Sequence, residues 1–142
     1  MFQKTLSQEV RKQLQAVARP VLTDKGILLF RSGEPCRGAF LIRSGQVKLS
    51  LDAAIALYPS RTVSTGIVIG LPASVSGEPY SLTAETKTSC RLDFISRQAL
   101  LNFLHQHSQA GLEILRLLSD EIFHMRKAVE NGVRSGFSAK VA

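Results

Sequence analysis

The chain has 142 residues, with 44% hydrophobic and 20% charged side chains and a net charge of +7. That length and mix suit one folded domain with a real core and exclude a chain disordered over most of its length. No stretch reaches the ~18 consecutive apolar residues of a bilayer-spanning helix, and the opening MFQKTLSQEVRKQ lacks the apolar run of a secretion signal, so the cytoplasm is the expected location.

Residues 7–19 carry Val10, Leu14 and Val17 at helical spacing and predict a short amphipathic helix. Ser7 is placed to cap it, and Pro20 ends the run. From residue 20 to about 95 the pattern changes to short runs rich in Val, Ile, Leu, Phe and Thr, separated by glycine-containing turns. Strands are expected near 27–31, 38–43, 46–51, 54–58, 61–69, 80–87 and 90–95. Arg43-Ser44-Gly45-Gln46 reads as a hairpin turn, and Arg31-Ser32-Gly33-Glu34-Pro35 as a second turn. No segment there is long enough to be a crossover helix, which disfavours a parallel sheet. The expected fold is mainly β, an antiparallel jelly-roll-like β-roll with one short N-terminal helix and two C-terminal helices.

Ser96 is placed to cap the first C-terminal helix and Ser108 the second, which Asn131-Gly132 should stop. The organisation expected is therefore one domain over residues 1–132, with the roll at about 20–95 and the helices at about 97–132, followed by a flexible tail at 133–142. In the last helix Leu115, Leu118, Ile122, Met125 and Val129 follow a 3, 4, 3, 4 spacing. That is the seam of a coiled coil, and it predicts a homodimer through this helix.

Chemistry-bearing patterns are sparse. Two cysteines, Cys36 and Cys90, read as free thiols in a cytoplasmic chain. The three histidines, His105, His107 and His124, all fall on the C-terminal helices, away from the strands that would hold a metal in a roll. No P-loop, dinucleotide-type glycine fingerprint or nucleophile–base pairing occurs. The chain is expected to have no catalytic residues, no metal and no resident cofactor. Its basic residues are scattered, with no dense basic–aromatic patch of the kind that grips nucleic acid.

The layout resembles the Crp/Fnr family of bacterial regulators and the wider cyclic-nucleotide-binding domain superfamily, over roughly residues 7–132. The resemblance begins in GILLFRSGEPCRGAFLIRSGQVKLSL at 26–51, where Gly26, Phe30, Gly33, Glu34, Phe40, Ser44, Gly45 and Val47 stand in matching places. It continues in GIVIGLPASVSGEPYSLTAETKTSCRLDFI at 66–95, which is similar to the family's phosphate-binding cassette. It implies a ligand-sensing regulatory domain that dimerises through its last helix. The ligand-binding residues it implies are Gly70, Leu71, Pro72, Ala73, Tyr80, Ser81, Leu82 and Thr83.

Two departures from the pattern bear on the ligand. Leu71 follows the cassette glycine where nucleotide binders carry the Glu that holds the ribose hydroxyl. Tyr80 precedes Ser81 where they carry the Arg that pairs with the phosphate. No Lys or Arg lies between Thr62 and Thr86. Losing one good charged contact costs about 2–5 kcal/mol, so binding of cyclic AMP or cyclic GMP is expected to be weakened or lost. The effector is then another small molecule or nucleotide in a more apolar pocket, with Tyr80 and Ser81 as polar handles. The alternative is a dimerising protein-interaction module with a vestigial pocket. Crp/Fnr regulators follow the long helix with a winged helix-turn-helix, and residues 133–142 are too few for one. DNA is thus a partner only if a longer chain carries that module.

Overall fold

A computed structural model of the chain describes residues 5–51 and 60–136. The elements in chain order are α1 (Gln8–Gln15), β1 (Arg19–Thr23), β2 (Leu28–Phe30), β3 (Gly38–Ser44), β4 (Val47–Ser50), β5 (Arg61–Val63), β6 (Val68–Ile69), α2 (Leu71–Ser76), β7 (Thr83–Thr86), β8 (Cys90–Ser96), α3 (Arg97–Gln106) and α4 (Ser108–Gly136). The strands form two antiparallel four-stranded sheets, ordered β1-β8-β3-β6 and β2-β7-β4-β5. The expected roll with flanking helices is what the chain forms. No helix among the described residues is long and apolar enough to cross a membrane.

The strand β3 explains how the two cores are divided. Gly38 through Ile42 are all buried, because this strand is covered on both faces. Successive side chains point to opposite sides. Phe40 and Ile42 enter the space between the sheets, with Phe30, Val47, Leu49, Ile69, Ala84 and Leu92. Ala39 and Leu41 point the other way, into a layer built from Leu6, Val10, Leu14, Leu100, Phe103 and Ile114. The first core is the interior of the roll. The second fastens the helices to the outside of one sheet.

The caps behave as their side chains dictate. The Ser7 hydroxyl accepts the Val10 N–H at 3.3 Å and starts α1, and the Ser96 hydroxyl accepts the Ala99 N–H at 3.1 Å and starts α3. Each satisfies one of the orphan donors of a helical first turn. Ser108 is itself the first residue of α4, and the following turn closes on the His107 carbonyl, which accepts the Gly111 N–H at 2.9 Å. The helix then passes through Gly132 and runs to Gly136.

Several expected boundaries move. The first helix ends at Gln15 and Val17 is exposed. The chain instead turns extended at Arg19 and adds β1 to β8, with Val21 opposite Leu92. Residues 61–69 are not one strand. Val63 ends β5 in one sheet, Gly66 turns with φ +91°, and Val68 begins β6 in the other. Only glycine reaches such a φ without strain. The Arg43–Gln46 turn likewise carries the chain between sheets and does not close a hairpin, since β3 pairs with β8 and β6 while β4 pairs with β5 and β7. A Cβ on Gly45 would meet the Ser89 carbonyl at 2.6 Å, so this crossing needs glycine. The expected 80–87 strand shortens to Thr83–Thr86. The strand expected at 54–58 lies outside the described residues.

Candidate functional site

The cassette starts where β6 meets α2. Gly70 takes φ +81° and turns the chain from strand to helix. Ser74 completes the turn by donating its hydroxyl back to the Gly70 carbonyl at 2.7 Å. Gly77, also at φ +81°, stops the helix. The chain then runs through Glu78 and Pro79 and returns under the cassette at Tyr80.

Tyr80 is only 3% exposed and lies inside the roll. Its ring stacks on Phe30, with centroids 3.9 Å apart and planes at 10°. Phe30 continues the row to Phe40 at 6.3 Å, and Phe40 to Phe94 at 5.0 Å. The Arg19 guanidinium covers the far end, 5.3 Å from the Phe94 ring. An aromatic row therefore runs from the cassette to β8, with Arg19 of the edge strand β1 over its end.

The hydroxyl of Tyr80 is fully engaged by the backbone. It donates to the Gly38 carbonyl at 2.6 Å. It accepts from the Gly38 N–H at 3.1 Å and the Arg37 N–H at 3.2 Å. A phenol offers one donor and two lone pairs, and all are used. Burial pushes the phenol above its ordinary range, against the lowering pull of the Gly38 and Arg37 amides, and the neighbouring Cys36 thiol adds to the rise. The group is held neutral.

The eight residues implied as a ligand site divide by where their side chains go. Gly70, Ala73, Tyr80 and Leu82 meet at the roll interior. A Cβ on Gly70 would touch the Tyr80 ring at 3.2 Å and the Phe30 ring at 3.5 Å, so the cassette tip is already covered by aromatic carbon. Leu71 points away, buried in the outer core beside Leu41 and Leu100. It cannot line the roll, because α2 presents successive residues to different sides and position 71 falls on the helix layer. Pro72 and Ser81 are exposed. Thr83 opens β7, and its hydroxyl accepts the Ser32 N–H at 3.0 Å. The expected polar handles are therefore committed elsewhere: Tyr80 to the backbone of Arg37 and Gly38, and Ser81 to the surface.

Side chains outside those eight also converge on this region. Cys36 Sγ lies 3.4 Å from the Ser74 hydroxyl. Arg37, just before β3, and Arg97, the first residue of α3, approach the cassette. The Arg37 guanidinium donates to the Leu29 carbonyl at 3.4 Å, outside the roll interior. Arg97 lies beside Gly77, where a Cβ would come within 2.7 Å of its Nη2. Nothing local in the sequence announces the backbone partners of Tyr80, which lie some forty residues upstream. Both cysteines are free thiols, Cys36 half-buried and Cys90 buried. Among the described residues no group of His, Cys, Asp and Glu is arranged to hold a metal.

On α4, Leu115 is 61% exposed and Leu118 is partly buried against the helix layer. Ile122, Met125 and Val129 lie outside the described side chains.

The family profile described as "Cyclic nucleotide-binding domain" matches residues 21–107. The chain belongs to that family. Solved structures agree with the fold. The sensor domain of the transcriptional regulator DNR from Pseudomonas aeruginosa is 25% identical, over 84% of this chain and 78% of that one, with a TM-score of 0.63. The catabolite activator protein of Thermus thermophilus is 17% identical, over 88% and 59%, with a TM-score of 0.73. The c-di-GMP-responsive global regulator CLP of Xanthomonas campestris is 16% identical, over 88% and 62%, with a TM-score of 0.71. The chain thus spans about three fifths of the latter two. No curated protein matches it.

Proposed function

We propose that this chain is a regulatory, non-catalytic domain of the cyclic nucleotide-binding family in which binding of cyclic AMP and cyclic GMP is weakened or lost. The observation that carries this reading is Tyr80, stacked on Phe30 and hydrogen-bonded to Gly38 and Arg37 where a ligand would enter the roll. A nucleotide reaching the cassette has to displace that side chain. The stack is worth about 1 kcal/mol and each of the three hydrogen bonds about 1 kcal/mol. Displacement therefore weakens binding by roughly two to four powers of ten. The missing arginine compounds the loss, because no cation from residues 63–85 reaches the phosphate.

In this reading the domain works as a homodimer through α4, and a small effector other than these two nucleotides biases how the helices pack. DNA is a partner only through a longer parent chain, by analogy with the regulators the fold resembles. The second reading is a dimerising interaction module whose roll is closed for good. The self-filled interior favours it, as does the exposure of Leu112 and Leu115 on α4.

Thermal unfolding against cyclic AMP, cyclic GMP and a panel of nucleotides and metabolites tests both. A ligand that binds only the folded chain raises the melting temperature by mass action. No shift with the two cyclic nucleotides, with a shift from another compound, supports the diverged sensor. No shift across the whole panel, with a dimer in solution, supports the interaction module. A clear shift with cyclic AMP or cyclic GMP overturns the proposal.

A further inference from the structure

On the far side of β3 from Tyr80 there is a second cleft, between α1 and the Gly66 turn. It measures about 210 Å³ and is lined by Arg11, Gln15, Leu41, Ile42, Arg43 and Thr65. Two arginines line it, and no carboxylate does. The Nε of Arg11 is buried and has no hydrogen-bond partner. Arg11 is half-buried and makes no ion pair among the described residues, so this buried N–H is left without the acceptor its burial calls for. Its guanidinium rests against Gly66, where a Cβ would come within 3.0 Å of Nη1. The turn thus leaves room for this arginine. Arg43 spends its Nε on Asp93 at 3.5 Å.

We propose that this cleft is an anion site for a phosphate group, held by Arg11 and Arg43 with Gln15 and Thr65 as neutral donors. The planar fork of arginine matches phosphate oxygens in pairs. The amide of Gln15 and the hydroxyl of Thr65 supply further donors. The volume is below the ~300–1,000 Å³ of pockets that enclose a drug-sized ligand. It suits one phosphate group, free or at the end of a larger molecule whose remainder stays in solvent. The site shares only Ile42 with the wall of the roll interior, its polar groups lie outside that interior, and it stands whether or not that interior takes a ligand.

Inorganic phosphate titrated into the ¹⁵N-labelled chain, with chloride at matched ionic strength as reference, tests it. Saturable shifts centred on the amides of Gln15, Thr65 and Gly66 are expected. Arg11→Met should weaken this binding about tenfold to a hundredfold, and Lys25→Met, a remote exposed cation, should leave it unchanged. Should Arg11→Met fail to fold, Thr65→Val carries the same test with a smaller expected loss. Adenosine 5′-monophosphate forms the second arm. Tighter binding than phosphate at the same amides assigns the site to a phosphate carried by a larger ligand, and equal binding assigns it to the free anion. Non-saturating shifts spread over the surface, or phosphate binding unchanged in both Arg11→Met and Thr65→Val, overturn the proposal.

Discussion

The hydroxyl of Tyr80 donates to the carbonyl of Gly38 at 2.6 Å and accepts the N–H of the same residue at 3.1 Å. The two residues are thereby joined like a pair of strands, with a phenol standing in for a peptide unit. Tyr80→Phe keeps the ring on Phe30 but leaves the Gly38 N–H, which is buried, without its acceptor. The expected loss is about 1–3 kcal/mol of unfolding free energy, read from urea denaturation. A variant as stable as the wild type would mean that water or a backbone shift replaces the phenol.

Gly38 is also fixed by its other neighbour. A Cβ there would collide with the Ile95 carbonyl of β8, and backbone cannot step aside as a side-chain tip can. Gly38→Ala should cost about 3 kcal/mol or more, or prevent folding. Circular dichroism and thermal melts of the purified variant check this.

Asp93 gives the fold a pH dependence. It is buried on the outer face of β8, where burial pushes its carboxyl above the ordinary range against the opposing charges of Arg43 and Arg91. The folded chain therefore keeps this proton at pH values where the unfolded chain has released it. Stability from this group falls as pH rises from the ordinary value of 3.8 through the raised one, and the cost is complete above it. Asp93→Asn cannot ionise. Its stability relative to the wild type should rise with pH across that window, and urea melts at about pH 4 and pH 7 measure the difference. A difference that is flat with pH contradicts the assignment.

Leu115 stands 61% exposed on α4, with Leu112 at 44%. If these leucines meet a second copy, Leu115→Glu places a charge in an apolar seam and should turn a dimer into a monomer. Sedimentation equilibrium of the wild type and the variant reads the outcome directly. A wild-type monomer at tens of micromolar would remove the dimer from the functional proposal.

Local signals carried the architecture well. Ser7 and Ser96 cap as their residue type suggests, and the glycine turns fall where the strands break. Failures arose where a local pattern has two long-range solutions. Leu71 is apolar and so fits either core, and only the facing of α2 sends it to the outer one. The segment 61–69 is uniformly β-prone, and its division between two sheets depends on Ile42, whose N–H and carbonyl pair with Ile67 and Gly66. Tyr80 looked like a pocket handle because nothing in its vicinity in the chain announces Phe30 and Gly38 as partners. Residues 19–23 hid a strand because Pro20 reads locally as a helix stop, while its edge position in the sheet makes the missing N–H harmless.

Isothermal calorimetry with cyclic AMP and cyclic GMP on the wild-type chain tests the central claim most directly. With Tyr80 seated on Phe30 and Gly38, no saturable heat is predicted up to millimolar nucleotide. A micromolar dissociation constant for either nucleotide would contradict the account, because Tyr80 would then have to leave the roll at almost no cost.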